Sequence, residues 1–178
     1  MIRYCIDKWE KNKDSLQNDI RENQAWKNCN YLFIVKSIVA IILNDGTKVC
    51  SNETEISLSE YDDQLWNTEK ITEIDNGHYS GTLLYLIPRN TDEPMANDYL
   101  MGFFNYGSCS ICDTLERIQD EDYESNSTYE DDSRQKPSET QVKDYMTLCK
   151  DFICSMVRPY NNGWRKDPEF DTIEEPPL

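Results

Sequence analysis

The run Tyr106-Gly107-Ser108-Cys109-Ser110-Ile111-Cys112-Asp113 holds the densest set of groups able to do chemistry in this chain. A C-x-x-C spacing places two thiols on one turn, and three chemistries suit it. The pair could cycle between dithiol and disulfide, provided its surroundings favour thiolate. It could supply half of a zinc site, the other half coming from Cys149 and Cys154. Those two residues, five apart on a helix, stand about 140° apart around its axis, which separates them onto different faces. It could also be a tight structural turn whose cysteines pack as small apolar side chains. A fourth possibility needs the lone histidine, His78. If the strands on either side of the Pro88–Asn97 segment pair symmetrically, Tyr79 falls opposite Tyr106. His78 then falls opposite Gly107, beside Cys109. Cys109 would be the nucleophile, His78 its base, and Asp75 or Asp113 the orienting acid. The competing reading of Asn76-Gly77-His78 is an exposed turn. No G-x-G-x-x-G, P-loop, G-x-S-x-G or H-E-x-x-H motif occurs.

The elements that would position these groups follow from hydrophobic periodicity. Residues 2 to about 27 read as an amphipathic helix with Ile2, Ile6, Trp9, Leu16 and Ile20 on one face. Asn30 is placed to cap a second helix, Tyr31 to Leu43, apolar nearly all round and therefore expected at the centre of the core. Asn44-Asp45-Gly46 should stop it. Strands are expected over 47–50, 70–74, 79–87 and 98–106, the last two forming an antiparallel hairpin. Ser110 would cap a short helix over 111–119 with Asp113 in the capping-box position, so that Cys109 and Cys112 face the helix N-terminus. A final helix spans 141–156. The fold class is thus α+β: one domain over residues 1–158, a small antiparallel sheet covered on one face by helices. Its core is expected to include Trp9, Phe33, Ile34, Ile38, Ile41, Leu84, Leu86, Phe103, Leu115, Tyr145 and Leu148.

Charge sets the outer limits. The 178 residues carry 34 acidic and 18 basic side chains, a formal −16, with a pI near 4.4. A phosphate backbone would repel such a chain, which argues against direct nucleic-acid binding. The acids are concentrated. Residues 119–139 contain Asp120, Glu121, Asp122, Glu124, Glu130, Asp131, Asp132 and Glu139 against two bases. They are expected to form a mobile loop over 120–138. The tail, 159–178, holds Asp167, Glu169, Asp171, Glu174 and Glu175. Carboxylates in such segments are solvated and suit no general-acid role. They also lack the spaced ligands and glycine of a calcium loop. Charges break the N-terminal segment at once, and the longest apolar run is too short to span a bilayer. The expected setting is the cytoplasm of a host cell, with no membrane contact and the seven cysteines reduced.

Three stretches resemble a family of small, uncharacterised proteins encoded by bacteriophages, prophages and their hosts. They are Asp75-Asn-Gly-His-Tyr-Ser-Gly-Thr-Leu-Leu-Tyr-Leu-Ile-Pro88, Tyr106-Gly-Ser-Cys-Ser-Ile-Cys-Asp-Thr-Leu115 and Val142-Lys-Asp-Tyr-Met-Thr-Leu-Cys149. The N-terminal helix pair is similar too, so the likeness runs from Met1 to about Met156 without the acidic segments. Family members tend to carry Gly where Ile111 stands, and a His just after the third stretch, where this chain reads Lys150-Asp151. The resemblance implies a phage or mobile-element context. It supplies no activity and transfers no functional residue.

Together these readings favour a non-catalytic, phage-type accessory protein that needs no cofactor. Its acidic residues Asp120, Glu121, Asp122, Glu124, Glu130, Asp131, Asp132, Glu169, Asp171, Glu174 and Glu175 would dock on a basic surface of a host protein, the competing reading being that they only keep the chain soluble. That protein is inhibited or regulated, and a nucleic-acid-handling defence effector of the CRISPR type is one candidate. The alternatives are a Cys109/His78 enzyme or thiol–zinc protein, and a homodimer anchored by Trp66, Tyr61 or Trp164.

Overall fold

The computed structural model describes residues 2–46, 65–109, 111–120 and 136–158. The expected strand at 47–50, the Ser110 cap, the acids of 121–135, the tail from 159, and Tyr61 and Trp164 lie outside the described residues.

Helix α1 (Ile2–Glu22) ends five residues earlier than its periodicity suggests. Asn23 is the reason. It adopts an extended conformation and its side chain accepts from the Ala25 N–H, starting a 3-10 turn over Gln24–Trp26. Short polar side chains compete in this way with the helical backbone. The buried stripe of α1 is Cys5, Trp9, Asn12, Leu16 and Ile20; Ile6, expected on it, is 42% exposed.

Asn30 caps α2 (Tyr31–Ser37) as expected, its Oδ1 accepting from the Phe33 N–H at 2.8 Å. The helix then widens into a π-helical turn over Ile38–Leu43. Asp45 and Gly46, both at positive φ, end it. The end is pinned from α1: Asn12 Nδ2 donates to the Ile42 carbonyl at 2.9 Å and to Asp45 Oδ1 at 2.6 Å. Lys8 and Lys11 both reach Asp45 Oδ2. Hydrogen bonds from Lys8 and Asn12, with Lys11 adding to them, hold the Asp45 carboxyl well below the usual range.

The sheet is an antiparallel meander in the order β1 (Thr72–Asp75), β2 (Gly81–Pro88), β3 (Tyr99–Tyr106). Helix α3 spans Thr114–Asp120 and α4 spans Glu139–Ser155. A Ser138–Gln141 capping box begins α4, two residues before the expected start. The fold is therefore α+β. One continuous core joins all the helices to β2 and β3. No helix among the described residues is long and apolar enough to cross a membrane.

Which face of the sheet meets the helices differs from expectation. Tyr85 and Ile87 of β2, and Leu100 and Phe104 of β3, are buried. Phe152 of α4 stacks on Phe104 at 4.6 Å and lies 5.9 Å edge-on from Tyr85. Leu84 and Leu86 are half-buried on the opposite face, and Phe103, paired with Leu84, is 42% exposed. Because side chains alternate along a strand, one unit of parity moves the whole set to the other face. Trp9, Ile34, Ile38, Leu115, Tyr145 and Leu148 are in the core as expected, while Phe33 and Ile41 pack against it half-buried.

Trp66, expected as an exposed dimer anchor, is fully buried. Asn44 exchanges two hydrogen bonds with its backbone, at 2.8 and 2.9 Å, and the Arg89 guanidinium lies 4.0 Å over its ring. That side chain is unavailable to a second subunit.

Candidate functional site

Strand β3 ends at Tyr106, and the chain turns through Gly107 to Asp113 before α3 begins. The turn is closed by its backbone: the Cys112 N–H donates to the Cys109 carbonyl at 2.9 Å and the Asp113 N–H donates to the same oxygen at 2.7 Å. Gly107 lies directly under Cys112. A Cβ there would meet Cys112 Sγ at 2.5 Å and its carbonyl carbon at 2.6 Å, so only glycine fits without moving backbone. A Gly107→Ala substitution should cost about 2 kcal/mol and push Cys112 away from Cys109. Denaturant unfolding and the rate of thiol modification check the two parts; a loss below about 0.5 kcal/mol with unchanged thiol rates would mean the contact is easily relieved.

Asp113 organises the turn. Its Oδ1 accepts from the N–H groups of Leu115 at 2.9 Å and Glu116 at 3.0 Å, and from the Tyr31 hydroxyl at 2.8 Å. Its Oδ2 accepts from the Gly107 N–H at 3.2 Å. It is thus the cap of α3, which begins at Thr114 and not Ile111. The donors that the sequence assigns to the thiols are consumed by this carboxylate. Asp113 is 5% exposed. Burial, with the Asp113 contact adding to it, pushes the Tyr31 hydroxyl well above its usual range.

Cys109 and Cys112 are both exposed, and their sulfurs lie 2.9 Å apart. The contact from Cys109, with backbone donors of Cys109 and Ser108 contributing, draws the Cys112 thiol below its ordinary value. The core thiols behave in the opposite way. Burial pushes Cys5 and Cys29 up to about 11, and Cys149 is raised well above its ordinary value. Cys149 lies in the core and Cys154 is exposed, both on α4. Among the described residues, no group of three or more His, Cys, Asp or Glu side chains is placed to hold a metal ion.

His78 is separate from the thiols. Gly81, not Tyr79, stands opposite Tyr106, a shift of two residues. The cause is the 3-10 turn Ala96–Asp98, closed by the Met95 N–H donating to Asp98 Oδ2 at 2.9 Å; it moves the centre of the β2–β3 connection toward β3. His78 falls in the exposed turn between β1 and β2, its ring 6.1 Å from that of Tyr79. No hydrogen bond joins it to Cys109 among the described residues. Asp75 is occupied elsewhere: its Oδ1 accepts from the Tyr106 hydroxyl at 2.7 Å and the Gly77 N–H at 2.9 Å. Those two bonds, with a smaller contribution from His78, hold its carboxyl below the usual range. Neither Asp75 nor Asp113 orients a Cys–His pair.

Of the acidic residues expected to bind a partner, Asp120 is described, exposed at the end of α3. Glu121, Asp122, Glu124, Glu130, Asp131, Asp132, Glu169, Asp171, Glu174 and Glu175 lie outside the described residues. The structural roles of Tyr31 and Gly107 were missed by sequence reasoning. The only signal for them was Gly107 beside a C-x-x-C, which reports a close approach without saying to what. No family model, no curated protein and no solved structure matches this chain.

Proposed function

We propose that this chain is a non-catalytic accessory protein of the phage type that docks by charge on a basic surface of a host macromolecule and inhibits or regulates it. The finer reading is a nucleic-acid-handling defence effector, since the channels of such enzymes are strongly positive.

The observation that carries the proposal is how unevenly charge is divided. Residues 120–138 hold seven acidic side chains against two basic ones and residues 167–178 hold five against none, whereas the rest of the chain holds 22 against 16. Several of the described bases are also neutralised locally. Lys8 and Lys11 meet Asp45, Arg21 is bidentate to Glu139, Lys36 meets Glu69, and Lys136 meets Glu22. Negative charge concentrated in this way along the sequence favours long-range attraction to a basic surface.

The test replaces Glu121, Asp122, Glu124, Glu130, Asp131, Asp132, Glu169, Asp171, Glu174 and Glu175 by the corresponding amides. Original and substituted chains are then used to capture partners from host lysate at low and high salt. The expected result is a partner whose association slows at least tenfold or so on substitution, with a matching loss at high salt. Capture indifferent to both changes would overturn the charge argument and move recognition to the folded body.

A further inference from the structure

We propose that Cys109 and Cys112 form a thiol–disulfide exchange site for a polypeptide disulfide, because the turn after β3 presents two exposed sulfurs 2.9 Å apart with an almost fully exposed isoleucine between them. This does not depend on the acidic segments. The transfer is stoichiometric, so it is compatible with a non-catalytic binding role and adds a covalent step to it.

Geometry comes first. A disulfide needs its sulfurs at about 2.05 Å and its Cα atoms at about 4.4–6.8 Å. The backbone bond between Cys112 and Cys109 closes a four-residue turn, whose ends lie within about 7 Å of each other, a span that overlaps the second condition. The first needs only a small movement of two side chains. The frame around them is rigid on both sides. Gly107 supports Cys112 from below, and Asp113 ties the turn to α3 and to Tyr31 of α2. The pair can therefore change state without unfolding its surroundings.

Reactivity comes second. The thiolate is the attacking form, and thiols with depressed proton affinity supply it near neutrality. Cys112 is lowered by its neighbour, while Cys5, Cys29 and Cys149 are raised by burial. The exchange then runs in two displacements. The Cys112 thiolate attacks one sulfur of a partner disulfide; that S–S bond breaks, and the departing sulfur leaves as thiolate and takes a proton from water. Cys109 loses its proton to water and attacks Cys112 Sγ. The mixed disulfide breaks, the Cys109–Cys112 bond forms, and the second partner sulfur leaves and is protonated. Two electrons and two protons pass from this dithiol to the partner, which is the oxidant. Ile111 is 95% exposed at the tip of the turn, so a disulfide reaching the sulfurs passes an apolar side chain. That suits a folded or extended polypeptide better than a small charged disulfide.

The test equilibrates the full chain across ratios of reduced to oxidised glutathione, alkylates free thiols, and locates the protected pair by peptide mass spectrometry. One transition is expected, confined to Cys109 and Cys112, abolished by Cys109→Ser and unaffected by Cys154→Ser. Cys109→Ser, whose hydroxyl and backbone N–H can still donate to the Cys112 sulfur, should trap a disulfide-bonded peptide at Cys112 faster than Cys112→Ser traps it at Cys109. Ile111→Gln, a neutral polar replacement, should slow reaction with the peptide about threefold or more while leaving reaction with oxidised glutathione unchanged. A pair that stays reduced in oxidised glutathione, or stays oxidised in reduced glutathione, overturns the proposal. If a serine variant does not fold, the transition in the unsubstituted chain decides alone. The amide-substituted chain should keep the same transition, so failure of the charge reading leaves this one standing and the reverse holds too.

Discussion

An Asp113→Ala chain should lose about 4 kcal/mol of stability, with a melting point roughly 10 °C lower. One side chain accepts from the Gly107, Leu115 and Glu116 N–H groups and from the Tyr31 hydroxyl, almost entirely out of water. Alanine leaves these donors without their acceptor in a site that admits little solvent. An orphaned buried donor costs about 1–3 kcal/mol. Some of the four regain partners as the turn relaxes, which brings the total below a simple sum. The Asp113→Asn chain separates shape from chemistry. Its amide oxygen can still cap α3, but its nitrogen cannot accept from Gly107, so roughly half the loss is expected. Thermal and urea denaturation of the three chains decide the matter. A loss under about 1 kcal/mol in the alanine chain would show that the turn stands without this carboxylate. It would also weaken the claim that the thiol pair sits on a rigid frame.

The second large effect is expected at the sheet–helix contact. Gly102 is buried on β3, and a Cβ there would meet the Phe152 ring at 2.7, 2.9 and 3.2 Å. Three ring atoms are involved, and the ring cannot simply swing away, because it stacks on Phe104 and meets Tyr85 edge-on. A Gly102→Val substitution should therefore cost about 3 kcal/mol by overpacking. Shrinking the opposing ring should recover part of it. In a Gly102→Val, Phe152→Leu chain the two changes should be coupled by about 1 kcal/mol or more in the favourable direction. Strict additivity in chemical denaturation would show that the valine is accommodated by backbone movement and not by pressing on Phe152.

These two sites also mark where sequence reasoning stops. The second helix was legible because Tyr31–Leu43 is apolar nearly all round and Asn30 precedes it, and local composition is enough to place such a segment at the centre. Strands β2 and β3 were legible as segments because Gly and Pro bound them. Their faces were not. In Gly81–Pro88 the run Leu83-Leu84-Tyr85-Leu86-Ile87 is apolar without a break, so period two cannot be read from it. Burial of Tyr85 and Ile87 rather than Leu84 and Leu86 is decided by Phe152 closing over Gly102, a contact between residues 50 positions apart.

The same division applies to the candidate sites. The acidic segments and the i, i+3 spacing of Cys109 and Cys112 are properties of the chain itself, written in residue order. The separation of His78 from the thiols was decided by register, which depends on the hydrogen bonds of the Ala96–Asp98 turn. Trp66 is an ordinary aromatic in the sequence, and its burial depends on groups arriving from other parts of the fold, Asn44, Arg89 and Tyr4 among them. Asp113 looks like a helix-start acid in either description; that it also holds Tyr31 and Gly107 needed three segments to meet. Local preferences are set by neighbours along the chain, so the sequence determined the elements, the charge layout and the thiol spacing. Face, register and burial are set by neighbours across space, and those the tertiary structure alone decided.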